Sequence, residues 1–178
     1  MSSPLDAWDN FYVIIGSSAG ALTGLQFVVM ALIADSDATP TTNTIGAFGT
    51  PTIAHFCAVL ALSAVVSAPW PSLTGPAVLL VMLGAVGIVY TVIVYLRTRR
   101  VTQYKPVAED WIFHVILPLA AYTLLVAGAF SLAAFTETAL FMIGTMGVIL
   151  LFVGIHNAWD TVTFIVTEYM APKNSDGA

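Results

Sequence analysis

The sequence predicts an all-α, polytopic membrane protein with five transmembrane helices in one bundle, and three observations carry that prediction. Hydrophobic residues make up 58% of the chain and charged residues only 8%, at a mean hydropathy of +0.92, which lies outside the range of soluble domains. The apolar residues gather into runs that reach or approach the roughly 20 residues a helix needs to cross the hydrocarbon core. Prolines, capping residues and charges punctuate those runs.

The spans fall at about 11–34, 52–70, 76–96, 111–134 and 139–166, in a single membrane domain covering residues 1–178. Asp9 and Asn10 are placed to cap the first span. Thr50 is placed to cap the second, with Pro51 at its first helical position, and Pro76 opens the third. The stretch "APWPSLTGP", residues 68–76, reads as a tight turn. "TIGAFGT", residues 44–50, resembles the carbonyl filter T-V-G-Y-G, but it has an extra residue between its glycines and no room for a pore helix, so it reads as a Gly/Thr turn. In the fourth span Pro118 has no amide hydrogen and crowds the carbonyl of His114, which predicts a kink and a freed carbonyl there. A last helix unbroken from Ala139 to Tyr169 would be about 45 Å long at 1.5 Å per residue, more than a ~30 Å core requires, so it must tilt or protrude. The first ten residues contain no Lys or Arg, so the first run is expected to stay in the membrane rather than be removed as a signal peptide.

Cations set the orientation, because positively charged loops stay in the cytoplasm. Arg97, Arg99, Arg100 and Lys105 share one connection, which places the N-terminus outside and the C-terminal tail, with Lys173, inside. Trp8 and Trp70 then mark the outer interface, and Trp111 and Trp159 the inner one. The expected location is the cytoplasmic membrane of a bacterium or archaeon. A net charge of −5 with only five Lys and Arg argues against nucleic-acid binding. Cys57 is the single cysteine, which rules out an intramolecular disulfide. The chain contains no P-loop, nucleophile elbow, HExxH or CxxC spacing, and this argues against an enzyme.

The candidate chemistry centres on "GIHNAWDTVTF", residues 154–164. His156 and Asp160 are four apart and share a helix face that Thr163 and Thr167 continue, while Asn157 and Thr161 lie on the adjacent stripe. Polar groups without partners in hydrocarbon are costly, so this face must look at protein or water. With the orientation above, His55, His114 and His156 fall at one depth near the cytoplasmic leaflet, with Gln26 close to that layer. In the first span Gly16, Gly20 and Gly24 recur every four residues and form a stripe for close helix approach, within the chain or to another subunit. Gly147 and Gly154 offer a matching groove.

Three functions fit these residues. In the first, the chain is a homo-oligomeric channel or transporter for small ions, with His156, Asp160, Asn157, Thr163, His114 and Gln26 along an ion path or proton relay that responds to pH. In the second, His55, His114 and His156 hold a transition metal, or two of them hold haem b, with Arg97, Arg99 and Arg100 near its propionates and Asp160 orienting His156. In the third, the chain is a ligand-free scaffold or assembly subunit whose glycine stripe binds a partner helix. The orientation is testable directly: a reporter fused into the connection between Arg97 and Lys105 should read as cytoplasmic, and an external signal would invert the whole topology.

Overall fold

A backbone in hydrocarbon has no water to bond, so each spanning segment must close its hydrogen bonds on itself, and helix is the result. The computed structural model of the chain describes residues 4–34, 42–99 and 108–168. A 3-10 turn, Asp6–Trp8, leads into α1 (Asp9–Ala34), followed by α2 (Thr42–Val66) and α3 (Thr74–Thr98). Next comes a rod in three pieces: α4 (Ala108–Trp111), a π turn (Ile112–Ile116) and α5 (Leu117–Ser131). The last element is α6 (Thr136–Glu168), and no strand occurs among the described residues. Among the described residues four stretches are long and apolar enough to cross a membrane: Asp6–Ala31, Thr74–Arg97, Ile112–Ser131 and Thr136–Thr163. The corresponding apolar part of α2, Thr50–Val66, is shorter.

Three local expectations are corrected. The second helix starts at Thr42 and not near Thr52, so residues 44–50 are helical and Pro51 lies inside the helix. A proline in the third turn of a helix forfeits a single bond, here to the carbonyl of Ala47, and two glycines before it do not forbid helical backbone. Helix α3 begins at Thr74, two residues before Pro76, which its first turn accommodates because amides there need no intrahelical partner. Pro118 does disturb the fourth rod, in the form of a π turn: the Leu117 amide donates to the Ile112 carbonyl, five residues back.

Each glycine that would clash if given a side chain identifies which helices touch and in which direction they run. A Cβ on Gly84 would meet Val126, and one on Gly87 would fall inside the Tyr122 ring, so α3 runs antiparallel to α5. Gly147 seats Leu62 and Gly154 seats Phe56, so α6 runs antiparallel to α2. Gly128 meets Ile143, which makes α5 and α6 antiparallel as well. A Cβ on Gly16 would come within 2.7 Å of the Ser63 side chain, and one on Gly20 would face Leu60, which sets α1 antiparallel to α2. The helices therefore alternate in direction along the chain. Helices α2, α6 and α5 form the middle of the bundle; α1 lies against α2, and α3 lies against α5. Fully buried Val59, Leu62, Leu125, Ile143, Met146 and Leu150 fill the core between them.

The α1 stripe behaves unequally along its length. A Cβ on Gly16 would clash with Ser63, one on Gly20 would stand 4.0 Å from Leu60, and one on Gly24 would meet nothing within 4 Å, because residues four apart on a helix are offset by about 40° and the stripe turns away from α2. Gly147 and Gly154 do not mate with that stripe. They take side chains of α2, and at Gly147 also Ile15 of α1, because a glycine groove accepts a protruding side chain as readily as another groove.

Aromatic rings mark both ends. At one, Trp8 packs edge-on to Phe11 and Phe141, and the Trp70 indole donates to the Val65 carbonyl at 2.6 Å. At the other, Tyr95 meets Trp111 edge-on, and Arg99 donates to the Tyr95 hydroxyl at 3.1 Å. The glycine seats give a stability prediction. Gly87→Ala should lower the thermal unfolding midpoint in detergent, a loss of about 1–3 kcal/mol from overpacking against Tyr122. Gly24→Ala should leave the midpoint unchanged or slightly raised; equal effects at the two sites would contradict this packing.

Candidate functional site

The helix registers bring the polar residues to one level. Extending the Gly16–Ser63 and Gly20–Leu60 register down α1 puts Gln26 opposite the Thr52–His55 turn of α2. The Leu62–Gly147 and Phe56–Gly154 register places Asn157 opposite the same turn. Gln26, Thr52, His55, Asn157 and Thr161 are all buried, so this is an interior polar layer within an otherwise apolar bundle.

Its best-defined contact joins α2 to α5: His55 Nδ1 lies 3.1 Å from the Tyr122 hydroxyl, with both residues buried. Tyr122 reaches that position because Gly87 leaves room for its ring. His114, in the π turn, is within electrostatic reach of His55. On α6 the Thr161 hydroxyl donates to the Asn157 backbone carbonyl at 2.7 Å, and the Asn157 side chain is buried. Among the described residues both the Oδ1 and Nδ2 of Asn157, only 1% exposed, lack a hydrogen-bond partner, and so does the Nε2 of Gln26. Asn and Gln amides each offer two donors and an acceptor, so this interior has unused capacity for a hydrogen-bonding occupant.

A second group lies at the rim, where α6 meets α4 and the π turn. His156 Nε2 is 3.0 Å from Asp160 Oδ2 and 3.6 Å from Glu109 Oε1, and its ring stacks on Phe113 at 3.5 Å and 19°. The approach to Asp160 is an ion-pair distance without hydrogen-bond alignment, so Nε2 still lacks a hydrogen-bond partner. At about 1.5 Å per residue, Asp160 lies about 36 Å along α6 from Thr136, beyond a ~30 Å hydrocarbon core. An ionised carboxylate is tolerable at that height.

The residues singled out from the sequence therefore divide. His156 and Asp160 are paired as expected, but on the rim, with side chains 24% and 49% exposed. The interior face belongs to the adjacent stripe, Asn157 and Thr161. The Thr163 and Thr167 hydroxyls donate back into α6 on its exposed side, Thr163 to the Trp159 and Asp160 carbonyls and Thr167 to that of Thr163. His114 is within electrostatic reach of His55, whereas the contacts of His156 are Phe113, Asp160 and Glu109. Among the described residues no group of three His, Cys, Asp and Glu side chains is placed to hold a metal ion. Lys105, Arg100 and Lys173 lie outside the described residues.

Three participants are not legible as such in the sequence. Tyr122 is visible only as a polar aromatic in mid-span, and Phe113 looks like any lipid-facing ring. Glu109 reads most simply as an N-terminal cap, yet its carboxylate turns to His156. A surface hollow of about 520 Å³ between Pro4–Trp8 and Thr136–Phe141 lies at the opposite end, away from both polar groups.

The His55–Tyr122 contact can be tested by unfolding in detergent. Tyr122→Phe leaves the imidazole nitrogen unpartnered and should cost about 1–3 kcal/mol. The double variant His55→Phe with Tyr122→Phe should lose less than the sum of the two single variants, and strict additivity would mean the contact contributes nothing. Comparison of the chain with family models, with curated proteins and with solved structures returns no match.

Proposed function

We propose that this chain is an integral membrane protein that conducts or carries a small ion, gated by protons at His156. One observation supports this most directly: an imidazole is held against carboxylates from two separate elements, Asp160 on α6 and Glu109 on α4. Histidine is the side chain whose charge changes between about pH 5 and 8. A protonated His156 attracts both carboxylates and ties the start of the fourth rod to α6, whereas a neutral ring releases that tie. Phe113, stacked on the ring, carries the change into the π turn and so toward His114. A π turn, with its weakened ladder ahead of Pro118, is a suitable place for a helix to flex.

In this reading the bundle has five spans, with α2 counted because it runs the full height between connections at opposite ends. Arg97 and Arg99 set the His156 end in the cytoplasm. The working unit is a homo-oligomer in a bacterial or archaeal cytoplasmic membrane. Gly24 faces open space beside exposed Leu25, Phe27 and Val28, a flat apolar patch suited to a second copy.

The test is ion flux into liposomes containing the purified protein, measured across about pH 5–8. Wild-type flux should change with pH over that window, and His156→Ala, Asp160→Asn or Glu109→Gln should flatten or displace the response. If His156→Ala leaves the pH profile untouched, His156 is not the gate.

A further inference from the structure

The interior layer is one part of a longer alignment. Among the described residues the buried side-chain atoms without a hydrogen-bond partner are Tyr12 Oη, Ser63 Oγ, Gln26 Nε2, both amide atoms of Asn157, and His156 Nε2. All belong to α1, α2 or α6, and none to α3 or α5. These three helices touch one another, with Ile15 and Leu62 meeting at Gly147. The atoms are spread along their seam rather than gathered at one height. Tyr12 lies in the first turns of α1, near the Trp8 end. Ser63 lies opposite Gly16, one turn further in. Gln26 and Asn157 lie at the His55 level, and His156 sits at the rim beside them. Between Ser63 and the Gln26 layer the seam is closed by Ala19 and Val59, both fully buried and apolar.

We infer that the seam between α1, α2 and α6 is the permeation path within one protomer, and that it passes protons on a file of water. This rests on the transport reading above and names the species carried. The unpartnered donors and acceptors are amides and hydroxyls, the groups that hold water in a buried site through two to four hydrogen bonds each. Between Tyr12 and Asn157 the seam residues named here carry no formal charge. An alkali cation stripped of its hydration shell needs several oxygens gathered around it, whereas the seam offers single oxygens at separate heights, and water passing a proton needs only hydrogen-bond partners. An excess proton binds the first water, which hands one of its own protons to the next, and so on until the last water releases one, so charge crosses without any heavy ion moving. Ala19 and Val59 form a dry neck, and an apolar constriction of this kind blocks conduction until it wets.

The experiment uses the full chain in liposomes that trap a pH-sensitive dye, with an imposed membrane potential driving uptake. Wild-type vesicles should acidify at a rate that is unchanged when potassium outside is replaced by sodium or by choline. Asn157→Leu, which fills the layer with apolar volume, should lower proton uptake at least ~10-fold by preventing wetting. Tyr12→Phe combined with Ser63→Ala removes only two hydroxyls, leaves the packing in place, and should also slow uptake. Thr91→Val is the control: Thr91 is equally buried, but its hydroxyl donates to the Gly87 carbonyl on α3, outside the seam, and uptake should stay within about twofold. Sodium or potassium tracer flux without acidification would overturn the proton assignment while leaving the transport reading in place. Full proton uptake in folded Asn157→Leu, or in the Tyr12, Ser63 double variant, would overturn the path. Vesicles permeable to no ion would overturn both.

Discussion

Leucine gains little by leaving lipid tails for another helix, so the bundle relies on the closeness of its contacts rather than on escape from water. That constraint explains where the glycines act. Gly84 and Gly87 let α5 settle onto α3, Gly147 and Gly154 let α2 side chains sink into α6, and Gly16 lets α1 meet Ser63. Dispersion between atoms in contact is small per pair and falls off steeply with any gap, so a seat that removes a gap contributes directly to association. The functional geometry depends on the same seats. Tyr122 meets His55 only because its ring occupies the place a side chain on residue 87 would take.

Polar groups in this bundle follow a second rule, that whatever is buried must be satisfied locally or occupied by something else. Threonine and serine hydroxyls mostly take the local solution. Thr23, Thr91, Thr123, Thr161, Thr163 and Thr167 all donate to a carbonyl on their own helix, three or four residues back. The Asn157 amide does not take this outlet: it is buried, and neither its Nδ2 nor its Oδ1 has a hydrogen-bond partner among the described residues. The contrast separates polar residues that a membrane helix tolerates from those that give the bundle an interior chemistry. It also explains why the rim pair, His156 with Asp160, and the interior pair, Asn157 with Gln26, suit different tasks: one can change its charge near water, and the other presents neutral hydrogen bonds away from it.

The π turn links these two sites. Proline at 118 denies one amide to the ladder, and the helix absorbs the loss by widening over Ile112–Ile116. The widened turn presents Phe113 to His156 and carries His114 within electrostatic reach of His55. A single covalent feature thereby connects the rim with the interior layer through adjacent residues of one element.

Much of this was legible in the chain because membrane helices are specified locally. Apolar run length gave the all-helical bundle and four of its crossings; i, i+4 spacing gave the His156–Asp160 pair; Pro118 gave the disturbance in the fourth rod. The tryptophans at 8, 70 and 111 do lie toward the ends. The start of α2 was misread because Gly and Thr before Pro51 look like a turn when backbone bonding in the surrounding helix is not known. What only the tertiary structure decided is which stripe of α6 faces inward. Adjacent residues on a helix point about 100° apart, and His156 and Asn157 are equally polar in the sequence, so the choice between rim and interior depends on how Phe56 and Leu62 of α2 dock into the glycines of α6. That docking is set by shape complementarity between helices distant along the chain, which no local pattern encodes.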